Sequence, residues 1–209
     1  MKRQNNTNSI TIIGEGETEW FYFESLRLAH QYPFKIEPGF PQHADISHFI
    51  KLAKDKVREE YGHVVCLVDM DRLLRVPAEM NIYRQAKASM TSEQFMFVET
   101  NPCTEFWFLL HFLPNLSVKR YTSYEELEPE LRKYMPGYEK TKRYFRRTNI
   151  YLYLTANGNL ETARKNAEKL CELSQKNPED AIAYSEVHKI FKLLEDIEAT
   201  YSQEKKNSD

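Results

Sequence analysis

Apolar residues fall into two rhythms along this chain. Residues 10–13 and 64–68 are short runs of apolar and β-branched side chains, the pattern of buried strands. Between them the period lengthens. Tyr22, Leu26 and Ala29, widened by Phe21 and Leu28, mark one face of a helix over about 17–31. Residues 33–40, bracketed by Pro33 and Pro41, read as a further strand. Asp45 or Ser47 can cap a second helix, whose stripe is Ile46, Phe49, Ile50, Ala53 and Val57 and which ends before Gly62. After the 64–68 strand, 72–78 reads as a loop, 79–90 as a helix and 94–98 as a strand. Asn101-Pro102-Cys103-Thr104 opens a helix over 105–112 that is apolar nearly all round, and Pro114 stops it.

Strands alternating with helices predict an α/β fold, a mostly parallel sheet flanked by helices. The texture changes after Pro114. Residues 119–147 are rich in charge, with glutamates early and Lys140, Lys142, Arg143, Arg146 and Arg147 late. Two amphipathic helices follow. Leu160, Ala163, Ala167 and Leu170 mark the first, and Val187, Ile190, Phe191, Leu194 and Ile197 the second, with breaks at Asn157-Gly158-Asn159 and Asn177-Pro178. The expected organisation is a core over 9–115 and a helical C-terminal extension over 116–200 packed on it, with polar tails at 1–8 and 200–209.

Composition narrows the function. The chain has 209 residues and a formal charge of −2, so any nucleic-acid surface must be local. Cys66, Cys103 and Cys171 are far apart, and no Cys-x-x-Cys supports a zinc knuckle or a disulfide framework. The N-terminus lacks an apolar signal core, and no apolar run reaches membrane-spanning length, so a cytoplasmic protein with no membrane association is expected. There is no Gly-x-x-x-x-Gly-Lys-Ser/Thr loop, which excludes a P-loop ATPase.

The candidate chemistry is acidic. The 64–68 strand ends in Asp69-Met70-Asp71, at the edge where open α/β sheets bind ligands. In an extended chain Asp69 and Asp71 share a face. Glu15 follows the first strand, Gly16 permits a tight turn, and Glu19 falls in the first turn of the next helix. If the two strands are neighbours, four carboxylates converge, an arrangement that needs cations. Mg²⁺ (or Mn²⁺) suits such oxygen ligands and can serve phosphodiester hydrolysis.

Other residues carry competing readings. Glu105 in so apolar a helix needs a partner or a metal. His111 is either a general base or phosphate contact, or a hydrogen-bonded core histidine. The run from Tyr138 to Arg147 mixes cations with aromatic rings, which suits phosphates and bases but also describes a solvated helix face. The aromatic set Trp20, Phe21, Tyr22 and Phe23 is expected to be mostly core.

These motifs resemble a known pattern. Glu15-Gly16-x-Thr18-Glu19 after a strand, with Asp69-x-Asp71 after a later one, resembles the Toprim catalytic domain of topoisomerases, primases and OLD-type nucleases. The longer set is similar to the RloB family: Gly14-Glu15-Gly16-x-Thr18-Glu19-x-x-Tyr22-Phe23, Asn101-Pro102-Cys103-x-Glu105-x-Trp107-x-Leu109-Leu110-His111-Phe112, Tyr138-x-Lys140, and Asn177-Pro178 with Val187-His188-Lys189. The resemblance implies a Toprim-like fold and a metal-dependent endonuclease acting on RNA, tRNA included, or DNA. It also implies an ATPase partner in prokaryotic phage defence. Glu15, Asp69 and Asp71 would be metal ligands, and Glu19 a ligand or base. Glu105 or His111 would complete the catalytic set, and Lys140, Lys142, Arg143, Arg146 and Arg147 would bind nucleic acid. Arg72 stands where some members carry another acidic residue, which leaves the number of metal ions open. Self-association into a homo-oligomer is also left open. The alternative is a non-catalytic Toprim-like subunit that binds nucleic acid or its partner.

Overall fold

A computed structural model describes residues 6–32, 35–39, 45–59 and 61–206. Four parallel strands form the sheet: β1 (Asn6–Ile13), β2 (Lys35–Gly39), β3 (Tyr61–Asp69) and β4 (Phe95–Asn101), with a two-residue antiparallel strand β5 (Tyr184–Ser185) at one edge. The order is β2-β1-β3-β4-β5. The chain leaves β1 in one direction, towards β2, and leaves β3 in the other, towards β4. The carboxyl ends of β1 and β3 therefore flank a topological switch point, where such sheets open a crevice.

Side-chain alternation divides the core. Ile10, Ile12, Val65, Leu67 and Val98 face one cluster, while Ile13, Val64, Cys66, Val68, Phe95 and Phe97 face the other. Helices α2 (Ile46–Arg58), α3 (Met70–Arg75) and α4 (Pro77–Ser89) cover the second face. Asp45 caps α2 through the backbone N–H groups of Ser47 and His48, and its apolar stripe is buried from Ile46 to Ala53. The first face is covered by α1 (Glu17–His30) and α5 (Glu105–Leu110), every residue of which is buried.

Behind them lie α6 (Tyr124–Tyr134), α7 (Lys142–Arg147), α8 (Ile150–Asn157), α9 (Leu160–Lys176) and α10 (His188–Lys206). One continuous hydrophobic cluster joins Ile10 and Val65 of the sheet to Trp107, Leu127, Leu170 and Ile197, so residues 116–200 share the sheet's own core.

Several expectations need correction. The predicted loop at 72–78 lies mostly within two helices, because Met70 and Leu73 anchor α3 against the sheet and Pro77 starts α4 at its first position, where a missing N–H costs nothing. Strand β1 begins at Asn6, inside the expected N-terminal tail, and α10 continues through the expected C-terminal one to Lys206. Residues 1–5 and 207–209 of those tails lie outside the described residues, as do Pro33, Phe34 and Phe40 of the predicted second strand. Strand β5 was not anticipated.

Candidate acidic site

The parallel register brings the acidic residues together. Ile13 of β1 aligns with Cys66 of β3, so the chain leaving β1 reaches Glu15 beside the end of β3. There the Asp69 backbone N–H donates to Glu15 Oε1 at 3.1 Å. Gly14 makes the turn possible by having no side chain. A Cβ on it would lie 2.1 Å from Glu19 Cβ, whereas one on Gly16 would meet nothing closer than 3.7 Å. The required glycine is therefore Gly14, not the Gly16 singled out in sequence. Glu19 sits at the third position of α1 and is 3% exposed, and its carboxylate folds back to accept the Gly16 N–H at 2.9 Å, half of a capping box.

Asp69 is held from the neighbouring strand. It aligns with Thr100, whose hydroxyl donates to Asp69 Oδ1 at 2.7 Å, and Thr104 adds its backbone N–H at 2.9 Å and its hydroxyl at 3.0 Å. Thr104 stands at the N-cap of α5, but its hydroxyl is spent on Asp69 and not on capping the helix. Asp71 does not share a strand face with Asp69. The strand ends at Asp69, and Asp71 lies in the first turn of α3, where its N–H donates to the Pro102 carbonyl at 2.9 Å and its carboxylate pairs with Arg75 at 3.1 Å. Arg72 forms a bidentate pair with Glu79, at 3.0 and 2.8 Å.

Glu105 is wholly buried, and its Oε1 is crowded. It accepts from Tyr138 Oη at 2.9 Å and Thr18 Oγ1 at 3.4 Å, and it pairs with Lys140 Nζ at 3.0 Å. Its Oε2 is buried with no hydrogen-bond partner. Lys140, placed by sequence among the nucleic-acid contacts, is thereby drawn into the acidic site, with its ammonium 4.9 Å from the Tyr124 ring centre. The Tyr138-x-Lys140 spacing was the sequence signal for this pair. Thr18 stands out in sequence only as a motif member and Thr104 only as part of a helix start; Thr100 carries no signal.

Electrostatics bind these groups into one cluster. Burial, followed by the charge of Glu19, pushes Glu15 up to about 8, against the opposing pull of the Asp69 N–H and Arg72. Burial and then Glu105 raise Glu19. Burial, Glu19, Glu15 and Glu105 raise Asp69 well above the carboxylate range. Asp71 is raised mainly by burial, with Arg75 opposing. Burial disfavours charge on Lys140, but Glu105, Asp69, Cys103 and Glu19 outweigh it and hold the ammonium above its ordinary pKa.

The donor chemistry fits a hard divalent cation: the ligands are oxygen, the charge is negative and one buried oxygen is spare. The spacing is not closed around an ion. Among the described residues no group of three or more His, Cys, Asp or Glu side chains stands ready to hold a metal. Side-chain rotation would have to complete such a site.

His111 is set apart from this cluster. It follows the far end of α5, its Nδ1 hydrogen-bonds the Trp107 carbonyl at 2.9 Å, and its ring meets the Trp107 ring edge-on. Gly158 packs against its backbone, and burial lowers its pKa to about 4. The environment is that of a core histidine, not of a base beside carboxylates. Of the other predicted nucleic-acid residues, Lys142 pairs with Glu17 at 2.9 Å. Arg143, Arg146 and Arg147 are exposed on α7 and make no ion pair among the described residues.

No helix among the described residues is long and apolar enough to cross a membrane. No curated protein and no solved structure matches the chain. A family model described as RloB-like protein matches residues 10–194, a span that contains every acidic residue of the cluster, and the chain belongs to the RloB-like family.

Proposed function

We propose that this chain is a divalent-cation-dependent endonuclease with a Toprim-like core. Glu15, Asp69 and Asp71 would hold Mg²⁺ or Mn²⁺, and Glu19 and Glu105 complete the acidic floor. The observation that carries this reading is Glu105, a wholly buried carboxylate with a spare oxygen among neighbours that already repel one another. Such an arrangement is costly without added positive charge, and Lys140 must serve Glu105, Asp69 and Glu19 together. Perturbed carboxylates gathered at the carboxyl ends of strands that flank a switch point support a functional site.

The bound cation would supply a water of lowered pKa and charge to steady the leaving oxygen. The protein's own groups do the rest. Thr100 and Thr104 fix the rotamer of Asp69. Glu19, whose carboxyl is held above its ordinary value by burial and then by Glu105, is the cluster's candidate proton acceptor. Lys140 brings positive charge to the edge of the cluster, and the unpaired arginines of α7 supply phosphate contacts. Membership of the RloB-like family supports an ATPase on a separate chain and a role as a phage-defence effector. The substrate is RNA, tRNA included, or DNA.

The test is cleavage of tRNA and of DNA by the purified chain with its ATPase, in Mg²⁺, in Mn²⁺ and in chelator. Cleavage is expected only with a divalent cation, and it should vanish in the Asp69→Asn, Asp71→Asn double variant. Cleavage that survives the double substitution sinks the assignment. The open spacing of the carboxylates favours one other reading, a non-catalytic subunit that binds nucleic acid. Cation-independent binding with no cleavage under any of these conditions would establish that reading instead.

A further inference from the structure

The four consecutive aromatic residues of α1 do not share one fate. Tyr22 and Phe23 are buried, but Trp20 and Phe21 are only partly covered. With Glu17, Lys142 and Arg146 they line a cleft of about 300 Å³ between the first turn of α1 and the helix α7. Trp20 meets Phe21 edge-on with ring centres 4.9 Å apart, and Phe21 stacks on the buried Phe145 of α7 at 5.4 Å and 17°. The aromatic floor is therefore braced from behind. Its rim carries the Lys142–Glu17 pair at 2.9 Å, and Arg143, Arg146 and Arg147 stand exposed on the same short helix with no ion pair among the described residues.

We propose that this cleft receives one unpaired base of a single-stranded nucleic acid, held against Trp20 and Phe21, while the α7 arginines hold the flanking phosphates. The proposal rests on the nuclease reading and adds the strandedness of its substrate. Size, surface and charge select this occupant. A cleft of about 300 Å³ is at the small end of ligand pockets and takes a ring system, not a helix. An apolar aromatic floor beside free guanidinium groups matches a base face joined to phosphate. A duplex keeps its base faces against one another and offers none to Trp20. The cleft also draws on the two segments that supply the acidic cluster: Trp20 follows Glu19 in α1, and Lys142 lies two residues beyond Lys140.

The chain reports on this site itself. It has two tryptophans, and Trp107 is wholly buried, so quenching by a stacked base reads Trp20. The full chain is titrated in chelator and low salt with oligo(U) or oligo(dT) of about ten nucleotides, a length of the order of known single-strand sites. Anisotropy of a labelled strand measures binding, and tryptophan emission measures stacking. Saturable quenching is expected with single strands and not with a duplex of the same length. Trp20→Ala should weaken single-strand binding roughly tenfold, the order of one lost base–aromatic stack, and Trp20→Phe should restore part of it. Arg146→Glu, an exposed change that does not threaten folding, should weaken binding and reduce its dependence on salt.

Binding without quenching, equal quenching by duplex, or unchanged affinity in both Trp20→Ala and Arg146→Glu would overturn the proposal. The Asp69→Asn variant separates the two claims, since it should abolish cleavage and keep the quenching. Cleavage by the unmodified chain without quenching rejects the cleft alone. Quenching without cleavage by the unmodified chain supports the cleft and rejects the nuclease.

Discussion

The Lys140 ammonium stands 3.0 Å from Glu105 Oε1, 35 residues away in sequence and inside an otherwise acidic site. It partly offsets the charge of a carboxylate that has no contact with solvent. Removing it should be felt first as instability. With Lys140→Met in chelator, the loss of one partner of a buried pair costs about 2 kcal/mol, reduced from the usual figure because the lysine side chain is 41% exposed. For a chain of this size that is roughly a 5 °C drop in Tm. A divalent cation should recover part of the loss. An unchanged Tm would show that the pair contributes little.

Asp69→Asn should do the opposite. Asparagine Oδ1 can still accept from Thr100 and Thr104, while the charge repelled by Glu15, Glu19 and Glu105 disappears. In chelator at pH 8 the variant should be more stable by roughly 1–2 kcal/mol and inactive, the trade expected where a strained site serves function. Lower stability by thermal melting would mean that Asp69 is a structural acceptor whose charge is needed.

The acidic cluster also sets a pH trend. Glu15 titrates at about 8 in the fold, against an ordinary value of 4.5. Below about 4.5 both states are protonated and the group is neutral to stability. Between those values the unfolded chain releases a proton that the folded chain retains, so stability falls as pH rises, and the loss is complete above about 8. Melting in chelator from pH 5 to 9 should show this decline, and Glu15→Gln should flatten it. A curve that Glu15→Gln leaves unaltered would contradict the assignment.

On the acid side His111 acts in the reverse sense. Burial depresses it to about 4 from 6.5, so between those values the unfolded chain binds a proton that the fold refuses. Stability from this group is present above about 6.5 and lost as pH falls towards 4. His111→Asn should weaken the acid dependence and leave cleavage intact. A variant that folds normally and does not cleave would return His111 to the chemistry.

Gly14 and Gly16 offer a paired steric test. Gly14→Ala forces a Cβ into the Glu19 stem and should cost roughly 2 kcal/mol together with most of the activity, whereas Gly16→Ala has room and should be mild. Equal effects in melting and cleavage assays would refute the role given to Gly14.

The sheet was legible because alternation is a local property: residues 64–68 carry the period of a strand wherever they are read. The meeting of Glu15 with Asp69 was likewise legible once the two strands were set side by side. What was lost depends on contacts distant in sequence. Asp71 changed its face because six residues, too few for a periodic signal, form α3. Strand β5 has two residues and is positioned by Asn101, whose side chain donates to the Ile182 carbonyl at 3.0 Å. The burial of Glu105 announced that a partner was required, but Lys140, marked only by the Tyr138-x-Lys140 motif, read as a nucleic-acid contact, because a pairing across 35 residues leaves no local pattern. Trp20 and Phe21 resembled core until α7 left one side of them open.

Strand β5 has a further consequence for the living cell. Its Ser185 pairs with Thr100, whose hydroxyl steadies Asp69, and Glu105 draws its donors from Tyr138 and Lys140. The acidic residues leave the ribosome long before the segments that hold them in place. A nascent polypeptide halted before residue 185 therefore carries the acids without their assembled geometry. If the cluster is the catalytic site proposed above, its activity arrives only once residues 138–185 have joined the fold, and translation itself acts as a safety catch.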